Sequence, residues 1–136
     1  KMSQSKQKFF LIVFALLLLT GCTDKSKLLV NTWMVSDFKY NTEIPKGMQQ
    51  TVQKSIADLK KSFRLTYYPD GTYTTQMNNQ TLKGKWKLNW NSSVITSTAN
   101  NTAAKDFKIK KLTADEFSFE ADENGQEVIF VMVPAK

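Results

Sequence analysis

The stretch FRLTYYPDGTYTTQMNNQTLKGKWKLNW, residues 63–90, decides the fold. Phe63, Leu65 and Tyr67 alternate with Arg64, Thr66 and Tyr68. Successive strand side chains point to opposite faces, so this period of two reads as a strand with one side buried. Pro69-Asp70-Gly71 supplies a turn, because proline presets one backbone angle and glycine accepts the left-handed region. Thr72 to Met77 is rich in Thr and Tyr, which suit a pleated surface. Asn78-Asn79-Gln80 turns the chain again. Leu82, Gly84, Trp86, Leu88 and Trp90 then alternate with Lys83, Lys85, Lys87 and Asn89, the cleanest half-buried strand in the sequence.

Upstream the period changes. Met48, Val52, Ile56, Leu59 and Phe63 fall on one helical face, while Gln49, Gln53, Lys54, Asp58, Lys60 and Lys61 lie largely off it. One amphipathic helix is predicted from about Pro45 to Ser62, with Thr42 as a candidate cap. Two functions suit it, a membrane-skimming helix or a lid over a ligand opening. Its narrow, moderately apolar stripe favours a simpler role, a plug packed on a sheet with a solvated charged face. Before it, Leu28 to Tyr40 reads as a first strand around Trp33 and Val35.

Downstream, strands are predicted at Val94–Thr98, Asp106–Leu112, Glu116–Glu120 and Glu127–Val133. Asn124-Gly125 is a type I′ hairpin signal. The last strand is apolar on both faces and is expected to be well covered. The chain is thus mainly β, with about eight short strands in up-and-down order and one helix after the first. Such spacing suggests a closed or nearly closed antiparallel barrel, or a sandwich.

The N-terminus carries a different message. Lys6 and Lys8 precede an apolar run of eleven residues, Phe9 to Leu19. A membrane-spanning helix needs about 20, so the run suits a signal sequence. Leu19-Thr20-Gly21-Cys22 resembles the lipobox of bacterial lipoproteins. The resemblance implies cleavage after residue 21, diacylation of Cys22 and a lipid-anchored mature chain. Residues 1–21 are then the signal peptide, 22–28 an acylated cysteine with a polar tether, and 29–136 the barrel domain. Thr23, rather than Asp, follows the cysteine, which favours the outer membrane of the cell envelope.

Composition bounds the chemistry. Cys22 is the single cysteine, so no disulfide forms within the chain. Histidine is absent, which excludes His-ligated zinc and the Ser-His-Asp and Cys-His nucleophile systems. Loss of Lys1, Lys6 and Lys8 with the signal leaves 16 of the 19 basic residues against 12 acidic ones, a net charge of +4. That balance weakly favours anionic lipid or sugar surfaces. No nucleic-acid motif is present, and nucleic acid is not expected as a partner.

Trp33, the run Phe63 to Tyr73, Gly84-Lys85-Trp86-Lys87-Leu88, Val94 and the run Ile109 to Phe117 occur in an order that resembles the lipocalin-like lipoproteins of Bacteroidetes-type bacteria. Asn31-Thr32-Trp33 stands where lipocalins usually carry Gly-x-Trp. The resemblance implies a lipocalin-like barrel and a habit of binding apolar small molecules. It transfers no catalytic residue.

Nine side chains are candidates to line a pocket: Trp33, Tyr67, Tyr73, Met77, Trp86, Trp90, Phe107, Phe119 and Phe130. The same residues would serve a filled core, since an eight-stranded interior is just wide enough to be packed or to hold one small ligand. Arg64 suits either a ligand carboxylate or an outward, solvated position. Lys83, Lys85 and Lys87 form a basic row that would meet headgroups, or simply solvate an outer face. Asp115-Glu116 and Asp122-Glu123 fall in predicted turns and lack an EF-hand pattern. Asn91-Ser92-Ser93 and Asn100-Asn101-Thr102 match a glycosylation sequon but read as polar turns. No metal, cofactor or enzymatic activity is expected. Two functions remain: a membrane-tethered binding module for a small apolar or amphipathic ligand, or an envelope lipoprotein with a packed barrel and a protein partner. Pocket volume separates them.

Overall fold

Turn geometry sets the strand order. The computed structural model describes residues 24–40, 43–100, 102–123 and 125–136, without the side chain of Glu123. The lipobox, Cys22, Thr42, Asn101 and Asn124 lie outside the described residues. Gly71 takes φ +87°, and Asn78 and Asn79 take φ +48° and +66°. Two successive positive values match the two-residue hairpin turn that follows the right-handed twist of its strands. The strands are β1 (Thr32–Tyr40), β2 (Arg64–Tyr67), β3 (Thr72–Met77), β4 (Gln80–Leu88), β5 (Val94–Ala99), β6 (Lys105–Leu112), β7 (Phe117–Glu123) and β8 (Gln126–Pro134). Each pairs antiparallel with its sequence neighbour, and β1 pairs with β8, so the sheet closes as a barrel. A helix, α2 (Gln49–Ser62), follows β1 after a 3₁₀ turn at Lys46–Met48. Among the described residues, no helix is long and apolar enough to cross a membrane.

A shorter helix, α1 (Lys25–Leu29), precedes β1. Asp24 caps it, accepting from the Ser26 amide at 3.0 Å and the Ser26 hydroxyl at 2.6 Å. The first strand therefore begins at Thr32, not Leu28, and Lys25–Leu28 of the expected tether are helical. A short apolar run such as Leu28-Leu29-Val30 has no period of its own, so the cap decides. Leu29 is fully buried, and its carbonyl accepts from Trp33 Nε1 at 2.9 Å. This bond ties α1 across the end of the barrel where β1 starts, hereafter the closed end.

Two bulges set which side chains face inward. Val35 lies opposite Met132 and Asp37 opposite Val131, which leaves Ser36 as an extra residue. Inward positions shift from Trp33 and Val35 to Phe38 and Tyr40. In β6 the register slips likewise between Ile109 and Lys111. Without these insertions, strict alternation would turn Asp37, Lys39 and Lys111 inward. On the outer face of β8, Ile129, Val131 and Val133 are half-buried rather than covered.

Gly84 lies directly across from Tyr73. A Cβ added there would come within 2.5 Å of the Tyr73 ring and 2.6 Å of the Thr98 carbonyl oxygen. The carbonyl belongs to the neighbouring strand and cannot step aside as a flexible side chain would. Gly84→Ala is expected to lower stability by about 1–3 kcal/mol, the usual cost of overpacking. Urea unfolding of the two proteins, with an unchanged slope, is the check.

Candidate functional site

The barrel interior divides into two halves. Toward the closed end Trp33, Val35, Leu65, Tyr67, Ile95, Phe117 and Met132 are buried together. Trp33 and Phe117 pack with ring centroids 5.5 Å apart, and Tyr67 packs edge-on against Trp86 at 5.3 Å. Phe119 stacks on Phe117 at 5.0 Å and on Phe130 at 5.2 Å, so it links this core to the other half. Phe130 meets Phe38 edge-on at 4.6 Å, and Phe38 meets Tyr40 at 4.9 Å. An aromatic ladder thus climbs from core to mouth.

Above Phe119 lies a cavity of about 1060 Å³. That is slightly above the usual range for small-molecule sites, about 300–1,000 Å³. Phe38 and Tyr40 of β1, Met77 of β3, Phe107 of β6 and Phe130 of β8 form its barrel wall. Val52 and Leu59 of α2, with Ile44, Pro45, Met48 and Phe63 beside it, form the other wall. Lys105, Asp106, Asp122 and Gln126 stand at the rim, all exposed. Asp106 accepts from the Thr96 hydroxyl at 2.7 Å.

The helix packs on the sheet with its charged face solvated, as expected, and it also covers one side of the cavity. None of its residues is buried; Val52, Ile56 and Leu59 are half-buried. It packs against β1 and β3. Leu59 packs against the core, and Val52 and Leu59 also border the cavity. Arg64 holds it from outside, donating from Nη1 to the Phe63 carbonyl at 2.7 Å. This guanidinium sits at the end of the helix, where free carbonyls collect.

The nine candidate lining residues part company. Met77, Phe107, Phe119 and Phe130 line the cavity. Trp33, Tyr67 and Tyr73 belong to the packed core. Trp86 is half-buried against that core and donates from Nε1 to the Tyr68 carbonyl at 3.1 Å. Trp90 is a correction: it is 95% exposed, because β4 ends at Leu88 and the chain turns before it. Phe38 and Tyr40 are lining residues that the sequence reading did not single out, whereas Met48, Val52, Leu59 and Phe63 belong to the apolar helical face it described. Lys83, Lys85 and Lys87 project outward and are exposed. Glu116 pairs with Lys111 at 3.1 Å, and Thr113 Oγ1 accepts from the Asp115 and Glu116 amides, so this acidic pair builds a turn.

No family model matches the chain, and no curated protein does. Among solved structures, it is similar to a DUF4847 family protein from Bacteroides vulgatus. The TM-score is 0.55 at 18% identity, covering 80% of this chain and 95% of that one. At that identity the likeness concerns the fold alone, and the eight-stranded barrel fits a lipocalin-like architecture.

Burial raises the pKa of both core tyrosines and so opposes their ionisation. Desolvation, then the neighbouring Tyr73, pushes the Tyr67 phenol far above its ordinary value, and desolvation raises Tyr73. An unfolded chain would release these protons near pH 10, so stability is full below that pH and falls as pH rises through it. In an alkaline titration, the tyrosinate absorbance of Tyr67 should rise only together with loss of the fold, and that of Tyr73 should appear above the ordinary phenol range. Tyr67→Phe should remove part of that late rise.

Proposed function

We propose that this protein is a non-enzymatic binding module for a small apolar or amphipathic ligand, held at the cell envelope by acyl chains on Cys22. The cavity between the barrel mouth and α2 carries the reading. Its walls are aromatic and aliphatic, and its charges sit at the rim. Apolar burial contributes about 25 cal/mol per Å², whereas exposed charge pairs contribute about 0–1 kcal/mol. The walls therefore dominate affinity, and the rim adjusts which headgroup is accepted.

The anchor supports a location as well. The Leu-Thr-Gly-Cys segment follows a signal-like run, and Thr23 after the cysteine favours the outer membrane. One acyl chain binds a membrane only marginally, but two hold it stably.

The test is a titration of the chain from Thr23 onward with a fluorescent fatty-acid-like probe, using its three tryptophans as energy donors. Saturable, displaceable binding of about one probe per barrel is expected, in the micromolar range where apolar sites of this size commonly fall. Val52→Asp should weaken it by about tenfold or more, since a charge on an apolar wall must be desolvated or must distort the wall. The fold should persist, because α2 contributes no buried residue. A folded barrel that binds nothing would overturn the reading in favour of an envelope lipoprotein with a protein partner.

A further inference from the structure

The closed end carries a side chain that the cavity does not use. In a closed up-and-down barrel, the β2–β3, β4–β5 and β6–β7 turns all lie at the end where β1 begins. Trp90 stands on the β4–β5 turn, 95% exposed, and Tyr68 on the β2–β3 turn, 41% exposed. The two turns flank the paired strands β3 and β4.

The turn that displays Trp90 is firmly built. Asn89 Oδ1 accepts from the Ser93 amide at 2.8 Å and the Val94 amide at 3.1 Å. Asn91 Oδ1 accepts from the Ser93 hydroxyl at 2.6 Å. Ser92 takes φ +56° and donates its amide to the Asn89 carbonyl at 3.0 Å. The indole is therefore presented to solvent by a fixed scaffold, and residues 89–93 contain no charge.

The chain also enters at this end. Asp24 caps α1 and stands two positions after Cys22. An extended chain spans at most about 3.6 Å per residue, so a lipid on Cys22 keeps the closed end within about 10 Å of the headgroups. Lys25 and Lys27 are exposed there. So are Asp24 and Asp70, which hydrogen bonds from Ser26 and Thr72 hold below the usual carboxylate range. The charges are mixed, and the aromatic side chains carry the apolar contact. Tryptophan and tyrosine prefer the headgroup layer because their rings are apolar and their N–H or O–H stays wet.

We propose that Trp90, supported by Tyr68, is a second membrane contact that seats the closed end on the bilayer and turns the cavity mouth toward the aqueous phase. This rests on the acylation of Cys22 proposed above, and not on ligand binding. A ligand then arrives through water or from a soluble carrier rather than directly from the supporting leaflet.

The experiment places the acylated chain in phosphatidylethanolamine–phosphatidylglycerol vesicles, with and without brominated acyl chains, and follows tryptophan fluorescence. On membrane binding, iodide quenching should fall severalfold and bromolipid quenching should appear. Trp90→Phe should abolish most of both changes without altering the melting temperature, while Trp33, fully buried, stays silent throughout. Acylated, vesicle-bound protein whose Trp90 remains as open to iodide as in the chain from Thr23 onward overturns the proposal and leaves the tether intact. Shielding from iodide without bromolipid quenching also overturns it, and assigns Trp90 to a protein neighbour. Mass spectrometry that finds no acyl group on Cys22 overturns both the tether and this second contact, and leaves ligand binding in the cavity untouched.

Discussion

Pairing of the first strand with the last holds the molecule in shape. Seven registered positions, from Trp33 opposite Pro134 to Tyr40 opposite Val128, join residues about as far apart in sequence as the domain allows. The closure removes both sheet edges, which would otherwise present unpaired amides and carbonyls to other chains. It also fixes the bore. Eight strands enclose a space that one layer of aromatic side chains can fill, and here such a layer fills only the end nearest α1. Toward the mouth Phe38, Tyr40, Phe107 and Phe130 are just as large, but they stand around the cavity as its wall.

The helix α2 answers to a different physics. It contributes no fully buried side chain, and its charged residues are solvated. An isolated helix of this length is marginal in water, so it depends on its contacts with β1 and β3 and on Arg64 at its C-terminal end. Elements with few buried apolar contacts open at lower free energy than the core beneath them. A cavity covered by such an element is reachable without unfolding the barrel. Rigid walls and a weakly held cover are what a site needs if it must both retain and release.

Much of the barrel was legible because most of its strands keep strict alternation. Thr72–Met77 coincides with its predicted bounds, and the positive angles of Gly71, Asn78 and Asn79 fall where turn chemistry placed them. The cavity was less legible. Its wall depends on Phe38 and Tyr40, which face inward only because Ser36 is an extra residue, and a pattern read by twos cannot register an insertion that resets the count. Trp90 was misread by the same habit: the alternation of Leu82 to Leu88 runs on smoothly to it, but Asn89 and Asn91 bend the chain first. Helix α1 escaped because a single turn has too few residues to show a period.

The even number of strands has an evolutionary side. Entry into β1 and exit from β8 lie at one end, while the β1–α2, β3–β4, β5–β6 and β7–β8 connections lie at the other. Those connections carry neither end of the barrel. Lengthening a surface loop is thermodynamically cheap, about 0.6 kcal/mol per doubling, and surface connections tolerate insertion far better than strands do. Variation in the connections at the mouth is thereby uncoupled from the end where the barrel's chain enters and leaves, so descendants of this barrel can diversify one end without disturbing the other.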